Sequence, residues 1–103
     1  MAEHTWSRLK ISDALEKKVT SDEVGTTYML AADERRWVDG KQLKRWSEVY
    51  IKTKPSKWVF ATAETDKAAH TKAAKSRRAT NDHDLWCEIE RARRYKYKLF
   101  KLS

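Results

Sequence analysis

Residues 46–63 read WSEVYIKTKPSKWVFATA and contain the chain's single proline, Pro55. Residues on either side of the segment 53–56 are mostly β-branched or aromatic, which favours strands. Proline fixes φ and cannot donate a hydrogen bond to a neighbouring strand, so it favours a turn over a strand interior. The stretch therefore predicts a β-hairpin that turns at Pro55.

The two arms of this hairpin have different patterns. The first arm alternates, with Val49 and Ile51 on one face, as in a half-buried strand. The other face of this arm carries Glu48, Tyr50 and Lys52. The second arm, WVFA at 58–61, is apolar on both faces, which is typical of a strand covered on both sides.

The segment before the hairpin contains three ambiguous or short elements. The side chains of residues 5–11 alternate between two faces, so this segment could form a strand followed by a helix. Alternatively, residues 5–19 could form one helix. A helix over at least 13–19 is favoured. Residues 1–4 are expected to fray. Residues 26–32 follow a glycine and predict a strand.

The dipeptide Asp39-Gly40 is a strong turn signal. It could close a small hairpin or introduce a short helix over 41–46. The helix is favoured because Leu43 and Trp46 are three residues apart and would share a helical face.

Two helices and a strand are predicted after the hairpin. Thr65-Asp66 would cap an alanine-rich helix over 67–78, and Asn81 or Asp82 would cap a helix over 83–92. Residues 94–101 alternate as a strand, with a β-bulge where the alternation changes phase near Phe100. The expected fold is a small single α+β domain over 1–103. It has a three- to four-stranded, mostly antiparallel sheet (26–32, 48–53, 57–63 and 94–101) around the hairpin, with helices on one face.

Composition restricts the class of protein. The 103 residues fit one domain, and no apolar run is long enough to span a bilayer or to serve as a secretion signal. The single cysteine, Cys87, cannot form an internal disulfide, which favours a reducing, cytoplasmic location.

The net charge of +8 is concentrated in the second half of the chain. Residues 1–50 contain nine Lys/Arg and nine Asp/Glu, whereas residues 51–103 contain fourteen and six. A segregated excess is typical of a surface that attracts a polyanion, although small basic domains also use charge for solubility.

Basic residues concentrate in three segments of that second half: the hairpin turn, the end of the first helix and the C-terminal segment. The C-terminal segment has six cations in thirteen residues and no acid, with Tyr95 and Tyr97 between them as candidates for base stacking. A solvated helix face or a lysine-protected edge strand would give the same pattern. The candidate phosphate contacts are Lys54, Lys57, Lys72, Lys75, Arg77, Arg78, Arg91, Arg93, Arg94, Lys96 and Lys98.

Catalytic and metal sites have little support. His83 and Cys87 are four apart on the predicted helix, beside Asp82, Asp84 and Glu88, but no further ligand is evident, so no metal or cofactor is expected. The spacing of Asp39, Glu48 and Lys52 matches no nuclease pattern. The chain has two glycines, too few for a glycine-rich phosphate-binding loop.

The sequence therefore favours a non-enzymatic nucleic-acid-associated protein that binds phosphate backbone through its basic second half. The alternative is a protein-binding modulator, of mobile-element type, that docks on a host nucleic-acid-processing enzyme and inhibits or redirects it. The anchors of this modulator would be Trp37 and Trp46, which lie among arginines and lysines. Alternatively, the aliphatic parts of these arginines and lysines cover the two rings.

Overall fold

The computed structural model describes residues 5–17 and 19–103, so the expected fraying of residues 1–4 lies outside the described residues. Eight strands and three α-helices form within the described ranges. They are β1 (Trp6–Leu9), α1 (Ile11–Lys17), β2 (Thr27–Ala32), β3 (Arg36–Val38), β4 (Lys41–Leu43), β5 (Trp46–Lys54), β6 (Lys57–Ala63), α2 (Asp66–Ala74), β7 (Ala79–Asn81), α3 (Asp82–Arg94) and β8 (Lys98–Leu102). A short 3-10 turn, Val19–Ser21, follows α1. No helix in these ranges is long and apolar enough to cross a bilayer.

The main sheet has six strands in the order β1-β8-β2-β5-β6-β7, and every described pair is antiparallel. The α+β class and the antiparallel sheet are thus confirmed, but the expected three to four strands were too few. The additional strands are the two edges. β1 corresponds to the strand-then-helix interpretation of residues 5–19, and β7 has only three residues, too few to show a period of two.

The central hairpin is confirmed as β5 and β6. Lys54 pairs with Lys57, so Pro55 and Ser56 form a two-residue turn. Ser56 has φ of 63°, which together with proline at the preceding position matches a type II turn. The register shifts between Lys52 and Lys54, leaving Thr53 as a bulge.

Helices cover both faces of this sheet, not one face as predicted. On one face, α3 contributes Leu85 and Ile89 to a core that includes Trp58. On the other face, Ala69 and Ala73 of α2 pack against a second cluster around Val49. The reason lies in the strands: β2 and β5 are buried on both faces, so both faces need a helical cover.

Burial of β5 on both faces corrects the expectation of a half-buried strand. Glu48, Tyr50 and Lys52 lie on the face of the sheet that α3 covers and are 3–4% exposed. Polar side chains on one face of a strand usually face solvent. Here Glu48 and Lys52 are buried because each pairs with a charged side chain from another element, as described below.

Residues 36–43 form a hairpin of β3 and β4, so the favoured short helix over 41–46 is wrong. Asp39 and Gly40 have φ of 51° and 77°, the two positive values that a type I′ turn requires. Arg36 pairs with Leu43, and Leu43 and Trp46 are both buried from extended backbone.

The C-terminal strand begins later than predicted. α3 continues to Arg94, and its last turn closes with a hydrogen bond from the Tyr95 backbone N–H to the Arg91 carbonyl. Lys96 then has φ of 60°, and β8 starts at Lys98. Helix packing thus overrides the strand-like alternation of residues 94–97. α2 ends at Ala74, short of the expected 78, because the chain must reach edge strand β7.

Candidate nucleic-acid interface

The eleven predicted cations do not share one side of the fold. Lys72 and Lys75 lie on or directly after α2, whereas Arg91, Arg93 and Arg94 belong to α3, which covers the opposite face of the sheet. The structure therefore separates the two basic helices.

Four further cations lie at the two ends of the sheet. Lys54 and Lys57 flank the turn that joins β5 to β6. Lys98 on β8 pairs with Ala31 on β2, and Ala31 in turn pairs with Ser47 on β5. Lys98 therefore lies at the opposite end of the sheet from that turn. Lys96 lies just before β8 at this same far end. A ligand would need to wrap the domain to touch both groups.

Three of the eleven cations pair with carboxylates. Lys72 lies 3.2 Å from Asp39, and Arg91 and Arg93 lie 3.9 and 4.0 Å from glutamates one turn earlier on α3. All three pairs are substantially exposed, so each contributes little to stability and competes weakly with an external anion. The other eight have no ion pair within residues 5–17 and 19–103: Lys54, Lys57, Lys75, Arg77, Arg78, Arg94, Lys96 and Lys98.

Five of these eight line the β6–β7 edge of the sheet. We call them the edge cluster: Lys54, Lys57, Lys75, Arg77 and Arg78, all exposed. β7 pairs with the start of β6, and the Phe60 backbone N–H donates to the Arg78 carbonyl at 3.1 Å. Lys57 and Phe60 are three residues apart on β6, which is about 10 Å of strand.

A second hydrogen bond fixes the segment that carries the arginines. The Ser76 hydroxyl donates to the Phe60 carbonyl at 2.7 Å and accepts from the Arg78 backbone N–H at 3.0 Å. The guanidinium of Arg78 lies 4.7 Å from the centre of the Phe60 ring. The segment between α2 and β7 is thus tied to the sheet, and its cations have a defined position.

Arg78 also lines a cleft of about 370 Å³ between the sheet and α3. Its floor is the stacked pair Tyr50 and Phe60, whose ring centroids are 5.3 Å apart. Arg36 and Arg91 line the same cleft, together with Glu48, Asp84 and Glu88. The charges of this cleft are mixed, so it favours an anion less clearly than the edge cluster does.

Glu48 is the centre of a buried network that sequence reasoning missed. Its carboxylate accepts hydrogen bonds from the Tyr50 hydroxyl at 2.6 Å, the Thr62 hydroxyl at 2.5 Å and Arg36 Nη2 at 3.1 Å. Burial, and then the negative charge of Glu48, raises the pKa of Tyr50 above its ordinary value. The alternation of β5 placed Glu48, Tyr50 and Lys52 on one face correctly, but nothing local in the sequence indicated that Arg36 would cover them.

The residues considered for nuclease chemistry are dispersed. Glu48 is held as above, Asp39 pairs with Lys72, and Lys52 lies 3.7 Å from Asp82. Within the described ranges no three His, Cys, Asp or Glu residues gather in a metal-binding arrangement.

The predicted His83–Cys87 pair does form a contact, with 3.7 Å between Cys87 Sγ and His83 Nε2. Asn81 caps α3 by accepting from the Asp84 backbone N–H at 2.8 Å, as one of the two predicted caps. Asp82 instead turns inward and accepts from Trp58 Nε1 at 2.6 Å. The acids at the start of α3 thus have structural partners or face solvent.

The two tryptophans predicted as anchors differ in exposure. Trp46 is 2% exposed and packs edge-on against Tyr97, with Arg36 4.4 Å from its ring centre. Trp37 is 69% exposed. Only Trp37 can therefore contact a partner from the surface of this fold.

The two tyrosines of the C-terminal segment stack on each other, with centroids 5.9 Å apart, and Tyr95 is 49% exposed. They occupy the helix-to-strand connection and not a strand face. The predicted strand over 94–101 therefore does not include these two tyrosines.

No protein-family model, no curated protein and no solved structure matches this chain.

Proposed function

We propose that this protein is a non-enzymatic, cytoplasmic nucleic-acid-binding protein whose main contact with the phosphate backbone is the edge cluster. The single observation that carries the proposal is the placement of five exposed cations without ion pairs, within the described residues, along one edge of the sheet. Exposed cations that lack an internal counter-charge release condensed counterions when they meet phosphates.

The dimensions of the edge fit a phosphate track. The distance from Lys57 to the position of Arg78 is about 10 Å along the strand. One strand of duplex DNA places a phosphate about every 3.4 Å along the axis, so this distance covers about three phosphates. The hydrogen bonds of Ser76 hold the arginine segment in place, which reduces the entropy lost when it binds.

The remaining predicted cations, apart from Lys72, which pairs with Asp39, would act as secondary contacts. Arg91, Arg93 and Arg94 on α3, and Lys96 and Lys98 at the far end of the sheet, add to the positive field that attracts a polyanion. They lie too far around the domain to extend the same short track.

The test is affinity for short duplex and single-stranded DNA and RNA as a function of salt. Five phosphate contacts give a slope of log affinity against log salt of about −3.5 on a single strand. Lys57→Gln/Arg77→Gln should weaken binding and make the slope shallower by about 1.4. The matched control is Lys10→Gln/Lys17→Gln. These two exposed lysines are the residue before α1 and its last residue, and α1 follows edge strand β1 on the other side of the sheet.

Absence of binding at low salt, or equal effects of the two double substitutions, would reject the edge cluster as the binding surface. A flat salt dependence would reject phosphate contact altogether.

One observation favours the second candidate, a modulator that docks on an acidic surface of a host nucleic-acid-processing enzyme. A large aromatic side chain exposed among cations, as Trp37 is, is typical of an interface anchor. Pull-down from a nuclease-treated lysate separates the two functions. Partners that remain after nuclease treatment support the modulator, and partners lost with the nucleic acid support direct binding.

A further inference from the structure

Trp37 points away from the domain on a hairpin whose other side is fixed. Its neighbours on β3 are turned inward: Arg36 reaches the buried Glu48, and Val38 packs against the main core. Because side chains alternate along a strand, the Trp37 ring must lie on the outer side of the hairpin. Its 69% exposure agrees with this position.

The hairpin is anchored at its base by a largely buried contact and has a weaker, exposed ion pair at its tip. Arg36 Nη2 lies 3.1 Å from Glu48 Oε2 near the base, and Asp39 Oδ2 lies 3.2 Å from Lys72 Nζ at the tip. A Trp on a fixed hairpin can bind a flat partner with little loss of backbone entropy.

The contact between Asp39 and Lys72 also places the hairpin beside the edge cluster. Lys72 belongs to α2, and its Nζ lies 3.5 Å from the Thr62 carbonyl of β6. Lys75 is one helical turn further on, about 4.5 Å along the helix axis, and leads into the segment with Arg77. The hairpin tip therefore lies close to the Lys75 end of the edge cluster, whereas Lys54 and Lys57 are at the opposite end of β5 and β6.

Three exposed cations lie on or next to the hairpin that carries the exposed ring. Arg35, Lys41 and Lys44 are exposed and have no ion pair within residues 5–17 and 19–103. A planar aromatic platform among unpaired cations combines the two elements that bind single-stranded nucleic acid: stacking for a base and positive charge for the phosphates.

We propose that Trp37 stacks on an unpaired base while the edge cluster and the hairpin cations hold the neighbouring phosphates. The ligand class is single-stranded nucleic acid. Bases inside a duplex are already stacked and paired, so they have no free face for Trp37 to cover. This inference rests on the proposed function and narrows it from nucleic acid in general to single strands.

The experiment compares a fluorescein-labelled 12-nucleotide oligo(dT) with a 12-base-pair duplex by fluorescence anisotropy at fixed salt. Trp37→Ala should reduce affinity for oligo(dT) at least about 5-fold, the lower end of the effect of losing one stacked base, and change duplex affinity less than about 2-fold. Trp37→Phe keeps an aromatic face and should retain most of the affinity. Tyr95→Ala is the matched control, since Tyr95 is another exposed aromatic and lies outside the hairpin, on the connection between α3 and β8.

Three results would overturn the inference. Trp37→Ala could bind oligo(dT) as the wild-type protein does, or lose affinity for duplex and single strand equally. In either case, weaker binding by Lys57→Gln/Arg77→Gln would leave the proposed function in place. If the wild-type protein binds neither probe at low salt, the proposed function fails and this inference fails with it. Circular dichroism of each variant confirms folding, which a substitution of an exposed side chain should not disturb.

Discussion

Arg36 crosses from the β3–β4 hairpin to the central sheet and closes an ion pair with Glu48, a carboxylate that is 4% exposed. The same guanidinium lies over the Trp46 ring, 4.4 Å from its centre. This one side chain therefore neutralises the buried charge of β5, covers a core tryptophan and positions the hairpin that presents Trp37.

Arg36→Ala should lower the free energy of unfolding by about 2 kcal/mol, because Glu48 keeps two hydroxyl donors but loses its counter-charge. The loss should be smaller than for a fully buried pair, since the Arg36 side chain is 39% exposed. Urea denaturation measures it. Arg45→Ala is the matched control: the pair of Arg45 with Asp33 is 3.6 Å long and largely exposed, so its loss should change stability by less than about 0.5 kcal/mol. Equal effects of the two substitutions would contradict the structural role of Arg36.

Stability should fall steeply in alkali because two buried tyrosines hold their protons more tightly when folded. Burial raises the pKa of both Tyr28 and Tyr50, and the carboxylates of Asp22 and Glu48 raise it further. Above pH of about 10 the unfolded chain loses these protons while the folded chain keeps them, so the unfolded state gains in stability as pH rises. Each tyrosine should contribute a slope of about −1.4 kcal/mol per pH unit to the unfolding free energy between pH 10 and 12.

Tyr50→Phe tests this dependence. The variant should be less stable near neutral pH, because Glu48 loses a donor, but its stability should fall less steeply above pH 10. Tyr95→Phe, which alters a half-exposed ring, should leave the slope unchanged. An identical alkaline slope in Tyr50→Phe and the wild-type protein would show that Tyr50 does not carry the effect.

Local signals in the sequence were sufficient where the structure depends on neighbouring residues. Pro55 located the hairpin turn, and Thr65 and Asn81 located the starts of α2 and α3 through their caps. Local signals were insufficient where contacts between distant parts of the chain determine the structure. The alternation of β5 placed Glu48 and Lys52 on one face, but their burial depends on partners from the β3–β4 hairpin and α3.

The candidate site shows the same division. Charge counting identified the cationic segments, but which of them share a side depends on α2 and α3 covering opposite faces, and no local pattern encodes that choice. The edge cluster forms because β7, a strand of three residues that carries no periodic signal, pairs with β6 and fixes the preceding arginines beside Phe60, about 10 Å along the strand from Lys57. The exposure of Trp37 and the burial of Trp46 likewise follow from a hairpin replacing the expected short helix.

The turn of the central hairpin contains backbone strain that a single substitution should remove. Ser56 has φ of 63°, in the left-handed region that costs an L-residue about 1 kcal/mol or more. Ser56→Gly should raise the free energy of unfolding by about 0.5 kcal/mol, since the greater entropy of glycine in the unfolded chain offsets part of the relief.

The complementary change is Gly40→Ala. Gly40 has φ of 77° and open space around it, so a loss of about 1 kcal/mol there would come from the backbone alone. Thermal and urea unfolding measure both, and a destabilising Ser56→Gly would contradict the turn geometry.

The buried pair of Lys52 and Asp82 should be important when one partner is removed and dispensable when both are replaced. The two charged groups lie 3.7 Å apart with side chains 3% and 9% exposed, and Asp82 also accepts from Trp58 Nε1. Asp82→Asn should lower the unfolding free energy by about 3 kcal/mol, because it removes the counter-charge of the buried Lys52 ammonium and leaves it with neutral partners such as the Val19 and Thr20 carbonyls. Adding Lys52→Met, which removes the stranded charge but keeps an apolar stem of similar length, should restore part of that loss. Urea denaturation of the two single variants and the double variant gives the coupling energy between the sites. If the losses of the single variants simply add in the double variant, the two side chains do not interact, and the charge of Lys52 must be stabilised by the carbonyls alone.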